Sequence, residues 1–148
     1  MKKLKQLQRR LNLSFDWTKP TVQMLGRWQP WHDGHTELFK RIHAITGQVC
    51  IMVRTVPTDT EANDRVPGQD DNPFDINQVS SRISIELNKE GFTSAVDYVI
   101  IQVPNIVDIS YGRGVGYIFT EHDLGKEVHD ISATKIRAQM REEGTLAS

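Results

Sequence analysis

Three short apolar runs constrain what this chain can fold into: Val22–Leu25, Val49–Val53 and Tyr98–Val103. The second and third are continuous and rich in β-branched residues, the signature of strands covered on both faces. Between the runs, Leu38, Phe39, Ile42 and Ile45 fall at helical spacing before Gly47, and Val79, Ile83 and Leu87 do so before Gly91. The spacing predicts helices from His35 to Gly47 and from Ile76 to Lys89. A last helix is expected over Ala133 to Glu143, before Gly144, and Ile109–Tyr111 and Tyr117–Phe119 are short strand candidates around a glycine-rich turn. Strand, helix, strand, helix, strand is the order of an α/β fold with a parallel sheet covered by helices. Such sheets bind ligands beyond the carboxyl ends of their strands, where strand order reverses.

The 148 residues, 38% apolar and 25% charged, suit one soluble domain. No apolar run approaches the roughly 18 residues a membrane span needs. A single cysteine, Cys50, excludes an internal disulfide framework, and its place in the second apolar run predicts burial. The N-terminus lacks the apolar core of a signal peptide, so the expected compartment is cytoplasmic. Charge is uneven. Residues 1–19 hold six Lys/Arg against one Asp, which leaves the remainder acidic. Residues 1–19 are read as a basic, helical N-terminal extension, since Leu4, Leu7 and Leu11 repeat at helical spacing, and residues 20–148 as the functional domain. A nucleic-acid partner would have to rest on the extension alone. Neither nucleic acid nor membrane is an expected partner.

The chemistry concentrates where strands hand over to helices. Gly26-Arg27-Trp28-Gln29-Pro30-Trp31-His32-Asp33-Gly34-His35 joins the first strand to the first helix. Two histidines three apart flank a glycine that allows close backbone approach. A helix N-terminus favours phosphate, and imidazole N–H groups there can donate to oxygens that gain charge in a transition state. Metal ligation by the histidine pair is the other reading, but no Cys/His pair with zinc spacing accompanies it. The second motif, Ile131-Ser132-Ala133-Thr134-Lys135-Ile136-Arg137, opens the last helix with two hydroxyls and two cations. Ser132 is an ordinary N-cap on its own. Cations near a helix N-terminus oppose the macrodipole, and a bound polyphosphate would reverse that penalty.

Together the motifs resemble the nucleotidyltransferase superfamily marked by His-x-Gly-His and Ile-Ser-x-Thr-x-x-Arg. The opening stretch is similar to the Gly-Arg-Phe-Gln-Pro-x-His-x-Gly-His form of archaeal-type nicotinamide mononucleotide adenylyltransferases. Asn72-Pro73-Phe74 and Val103-Pro104-Asn105-Ile106 also resemble segments of that group, and the likeness spans roughly residues 22–141. It implies a Rossmann-like, doubly wound, three-layer α/β/α domain. It also implies a magnesium–nucleotide substrate and direct in-line transfer of a nucleoside monophosphate, AMP or CMP, to a phosphorylated acceptor. By position, His32 and His35 would bind the triphosphate and stabilise developing charge. Ser132, Thr134, Lys135 and Arg137 would grip its outer phosphates. Gly26, Arg27, Trp28 and Gly34 would line the nucleotide cleft. Assembly into a homo-oligomer is a further implication.

Tyr111-Gly112-Arg113-Gly114-Val115-Gly116-Tyr117 departs from the segment that holds adenine in those enzymes, so the base and the acceptor are not inherited. The stretch reads as a hairpin turn or as a loop meeting base or ribose, with Arg113 its candidate side chain. Arg54, at the end of the second strand, and Arg82, on the following helix, are candidates for the acceptor phosphate. Residues 56–75 carry Asp59, Glu61, Asp64, Asp70, Asp71 and Asp75 against Arg65, and read as a solvated loop or an acceptor-selecting lid. The rival to an enzyme is a nucleotide-sensing module that has lost turnover.

Overall fold

The computed structural model describes residues 14–57, 72–114, 116–129 and 131–146. The head 1–13 and the centre of the acidic stretch, 58–71, on which two of the expectations above fall, lie outside the described residues. Three strands form one parallel sheet in the order β1-β2-β3: β1 (Val22–Gly26), β2 (Val49–Arg54) and β3 (Tyr98–Val103). Val22 pairs with Val49 and Val49 with Tyr98, so the strands start level. The helices are α1 (Asp33–Thr46), α2 (Ile76–Lys89), α3 (Lys126–His129) and α4 (Ala133–Glu142).

Each crossover follows from its sequence. Helix α1 stops at Gly47, which takes φ 76° and returns its N–H to the His43 carbonyl, a left-handed cap that only glycine adopts freely. Helix α2 starts at Asp75, whose carboxylate accepts from Gln78 N–H while the Gln78 side chain accepts from Asp75 N–H, a capping box. Tyr98 touches both helices: its ring meets Phe39 of α1 edge-on at 6.0 Å and its hydroxyl donates to Asn88 of α2 at 3.1 Å. Helices α1 and α2 therefore cover the same face of the sheet. Val49, Ile51 and Val53 alternate into that face and are buried, whereas Cys50, Met52 and Arg54 between them are half-buried. Cys50 is thus less enclosed than expected, though burial still pushes its thiol up.

The architecture is mixed α/β with a small, open, three-stranded parallel sheet. The two short strands expected at Ile109–Tyr111 and Tyr117–Phe119 do not form; these segments carry no ladder and expose their apolar side chains. The glycines between them raise the entropy of ordering, and an isolated pair of short strands is marginal in water. Ring contacts hold the turn instead, Tyr111 stacking on Phe119 at 5.6 Å. The outer edge of β1 is left without a strand among the described residues. Residues 14–19 are stitched to the sheet's lower end, with Phe15 buried and donating its N–H to the Ala95 carbonyl at 2.6 Å. Among the described residues no helix is long and apolar enough to cross a membrane.

Candidate functional site

The turn from β1 to α1 is held in an unusual backbone. Trp28 takes φ 54°, a left-handed conformation that strains a bulky residue by about 1–3 kcal/mol. Its surroundings enforce it. The indole N–H donates to the Met52 carbonyl at 3.0 Å, and the ring packs against Trp31 and His35 with centroids at 5.0 and 4.8 Å. A Cβ at Gly26 would lie 2.8 Å from the Trp28 ring. Gly26 is therefore glycine to seat the indole, whereas sequence reasoning gave it a place against the nucleotide. Trp31 is wholly buried and its indole N–H donates to Thr36 Oγ1 at 2.8 Å.

Both histidines sit at the head of α1. His32 is the N-cap, and its Nδ1 accepts from Gly34 N–H at 3.1 Å; His35 Nδ1 accepts from His32 N–H at 3.1 Å. A backbone N–H can only donate, so both Nδ1 atoms are unprotonated and each neutral ring carries its proton on Nε2. The rings stack at 3.6 Å, tilted by 16°. Burial holds His35 down to about 3, with the neighbouring His32 adding to the effect; burial also lowers His32. The pair is neutral near pH 7 and carries two Nε2–H donors on stacked rings. This differs from the expectation of free helix N–H groups, because Gly34 N–H is used by His32 Nδ1, and His35 and Thr36 N–H by the His32 carbonyl. Gly34 is glycine because a Cβ would meet His32 Cε1 at 2.9 Å and the Val128 carbonyl of α3 at 3.4 Å.

Three side chains from distant sequence, and the backbone of a fourth residue, fasten the turn. Arg27 Nη1 donates to Asn72 Oδ1 at 2.9 Å. Gln29 makes a two-way amide pair with Phe74: Nε2 donates to the Phe74 carbonyl and Oε1 accepts from Phe74 N–H, both at 2.9 Å. Arg82 Nε donates to the Trp31 carbonyl at 2.8 Å, and its charge opposes protonation of His32. Arg137, buried on α4, donates through Nη1 to the Gln29 carbonyl at 2.6 Å and through Nη2 to Thr134 Oγ1 at 3.2 Å. The two motifs, about a hundred residues apart in sequence, thus meet directly.

Ser132 caps α4, accepting from Lys135 N–H at 3.4 Å; Thr134 and Lys135 are exposed on its first turn. His32, Gly34, His35 and Trp28 line one wall of an open cleft of ≈ 1660 Å³ that runs along the free edge of β1. Arg113 and the glycine-rich turn supply a second wall, and Ile131 also lines the cleft. The volume exceeds the roughly 300–1,000 Å³ of a single small-molecule pocket. Arg54 stands apart from this cleft. Gly26 pairs with Val53, so Arg27 and Arg54 leave adjacent strands side by side, and Arg54 Nε is buried without a hydrogen-bond partner among the described residues.

Arg82 is drawn to the histidines, a placement its helical position alone did not give. Gln29, Asn72 and Thr36 escaped sequence reasoning. Gln29 and Asn72 lie in stretches already singled out, and their signal was a polar side chain beside a strained turn. The chain matches no protein-family model and no curated protein.

Proposed function

We propose that the protein is a nucleotidyltransferase that moves a nucleoside monophosphate from a nucleoside triphosphate to a phosphorylated small molecule. The observation that carries this reading is the meeting of the two motifs through the Arg137–Gln29 bond, beside two neutral histidines with their Nε2 protons fixed. An acceptor phosphate oxygen attacks the α-phosphorus in line. A new P–O bond forms, the bond to the β-phosphate bridging oxygen breaks, and pyrophosphate leaves. Magnesium enters as part of the nucleotide, held by phosphate oxygens and water. An ionised acceptor phosphate needs no general base, so positioning and charge neutralisation supply the catalysis.

In this reading His32 and His35 donate from Nε2 to phosphoryl oxygens as charge accumulates in the transition state. Ser132, Thr134 and Lys135 face the outer phosphates, and Arg137 adds a buried positive charge while holding the turn. Arg54 receives the acceptor's phosphate, which would satisfy its orphaned N–H; a buried donor left unpaired costs about 1–3 kcal/mol. The sheet then belongs to a Rossmann-like doubly wound fold whose strand order reverses at the free edge of β1, where the cleft lies. AMP is the favoured group, with CMP the alternative, and a homo-oligomer fits the apolar surface exposed over 107–119.

The test is pyrophosphate release with ATP or CTP and magnesium against a panel of phosphorylated acceptors that includes nicotinamide mononucleotide. Release that requires one nucleotide–acceptor pair supports the reading and names both substrates. Nucleotide binding without release across the panel turns the reading toward a sensing module.

A further inference from the structure

Helix α2 and its lead-in grip the histidine turn at three points: Asn72 on Arg27, Phe74 on Gln29 and Arg82 on the Trp31 carbonyl. The Gln29 contact differs from the other two. It is a closed two-bond ring between a side-chain amide and the Phe74 peptide, and the Gln29 side chain is buried. The same residue's carbonyl accepts from Arg137. One residue therefore joins the lead-in of α2 to the turn and, through its own backbone, to α4. Arg27 is tied to the lead-in of α2 through Asn72 and Arg54 leaves the adjacent strand beside it, whereas His32 and His35 follow Gln29 at the start of α1. We propose that Gln29 is a positioning residue that couples the two substrate sides: nucleotide bound at the histidines firms the lead-in of α2, and an acceptor bound beside Arg54 firms the turn.

The physical basis is local opening. Phe74 N–H exposes itself to solvent only when its bond to Gln29 breaks, and a ligand that binds the closed turn alone reduces that opening. Coupling is reciprocal by linkage, so firming measured in one direction implies it in the other. The Gln29 amide is buried and committed to Phe74 through both its oxygen and its nitrogen, so Gln29 acts through its neighbours. The proposal rests on nucleotide binding at the histidines, as assigned above.

The experiment is amide hydrogen exchange on the full chain with and without saturating Mg–ATP, or Mg–CTP if only that binds. It is read at Phe74 and Asp75, in wild type and in Gln29→Met, which keeps the shape and removes both bonds. In wild type, exchange at Phe74 slows by roughly fivefold or more on adding nucleotide, the scale of a locally opening amide tied to an occupied site. In Gln29→Met the same amide exchanges fast, and nucleotide changes its rate by less than about twofold. A purely structural role predicts something else: faster exchange in the variant, with the same fold-change on nucleotide addition. That result overturns the coupling. Asn72→Ala, which removes the Arg27 contact and leaves both Gln29–Phe74 bonds in place, retains the nucleotide response and serves if Gln29→Met does not fold; loss of the response there also overturns the assignment to Gln29. Failure of wild type to bind either nucleotide overturns the functional reading and this proposal together. Binding without protection at Phe74 overturns this proposal alone.

Discussion

Behind one wall of the cleft Trp31 is wholly buried, and Trp28, which lines it, is nearly so; on the other wall Ile118 is 84% exposed and Tyr117 66%. The first wall carries a strained backbone clamped from β2, α2 and α4. The second is a glycine-rich arm held by ring contacts among Tyr111, Tyr117 and Phe119. In the proposed reaction the difference would serve two kinds of work. Donors aimed at a developing charge gain most when they are fixed beforehand, because nothing reorganises during reaction. A surface that meets a base or an acceptor tolerates adjustment on binding, and the segments that adjust come from the weakly stabilised end of a structure.

The contrast is broken most severely at His35. His35→Ala removes one Nε2–H donor and the acceptor for His32 N–H. Turnover should fall by about a hundredfold or more, the scale of losing one oxyanion-type donor, in a pyrophosphate-release assay with the substrate pair that wild type uses. Undiminished turnover would remove His35 from the chemistry.

The next effect is on stability. His35 is held near 3 when folded, against an ordinary 6.5, by burial first and by His32 second. Between those values the unfolded chain binds the extra proton and the folded chain does not, so stability rises with pH. The contribution is complete above about 6.5 and is lost as pH falls toward 3. Each tenfold difference in proton affinity between the folded and unfolded chain is worth about 1.4 kcal/mol. A drop of about 2–3 kcal/mol between pH 7 and pH 4 follows, discounted because the ring is only partly enclosed. Urea unfolding at both pH values measures it. His35→Gln, which cannot titrate, should flatten that slope; an unchanged slope would show that other groups carry the acid sensitivity.

Gly26→Ala probes the same wall sterically. The new methyl lies 2.8 Å from the Trp28 ring, and that ring is boxed in by Met52, Trp31 and His35. Overpacking of this kind costs about 1–3 kcal/mol. The unfolding midpoint should drop without a change in the slope against denaturant. A neutral outcome would mean that the indole shifts freely, and that the turn is softer than its hydrogen bonds imply.

The same two walls explain what the amino-acid order revealed. Strands β1 to β3 and helices α1, α2 and α4 were legible because apolar periodicity and caps agree locally: Gly47 ends α1, Asp75 and Gln78 start α2, Ser132 starts α4. The two motifs were legible as chemistry, and their meeting is what spacing predicts only if the fold brings helix starts together. Roles inside the turn were not legible. Gly26 and Gly34 read as glycines for a ligand, and the room each also makes for a neighbouring ring had no local signal. Arg82 read as a candidate for the acceptor phosphate, and its bond from Nε to the Trp31 carbonyl had no local signal. Such assignments depend on which carbonyl lies opposite a side chain, and no local pattern encodes that. Strands were expected at Ile109–Tyr111 and Tyr117–Phe119 because propensity favours them, but a strand needs a ladder partner and none is placed there.

The smallest expected effect lies on that second wall and sharpens the comparison most cleanly. Ile118→Ser removes an apolar side chain that is already in water, so stability should stay within about 0.5 kcal/mol of wild type. The matched control in the core is Ile51→Ala. That side chain is wholly buried in the cluster beneath α1 and α2, where such truncations cost about 2–5 kcal/mol. Measured side by side by chemical unfolding, the pair should differ by several-fold. A loss at Ile118 approaching that at Ile51 would show that the arm is packed in solution, against β1 or a second copy of the chain. The two walls would then be equally firm, and adjustment on binding would have to come from elsewhere in the cleft.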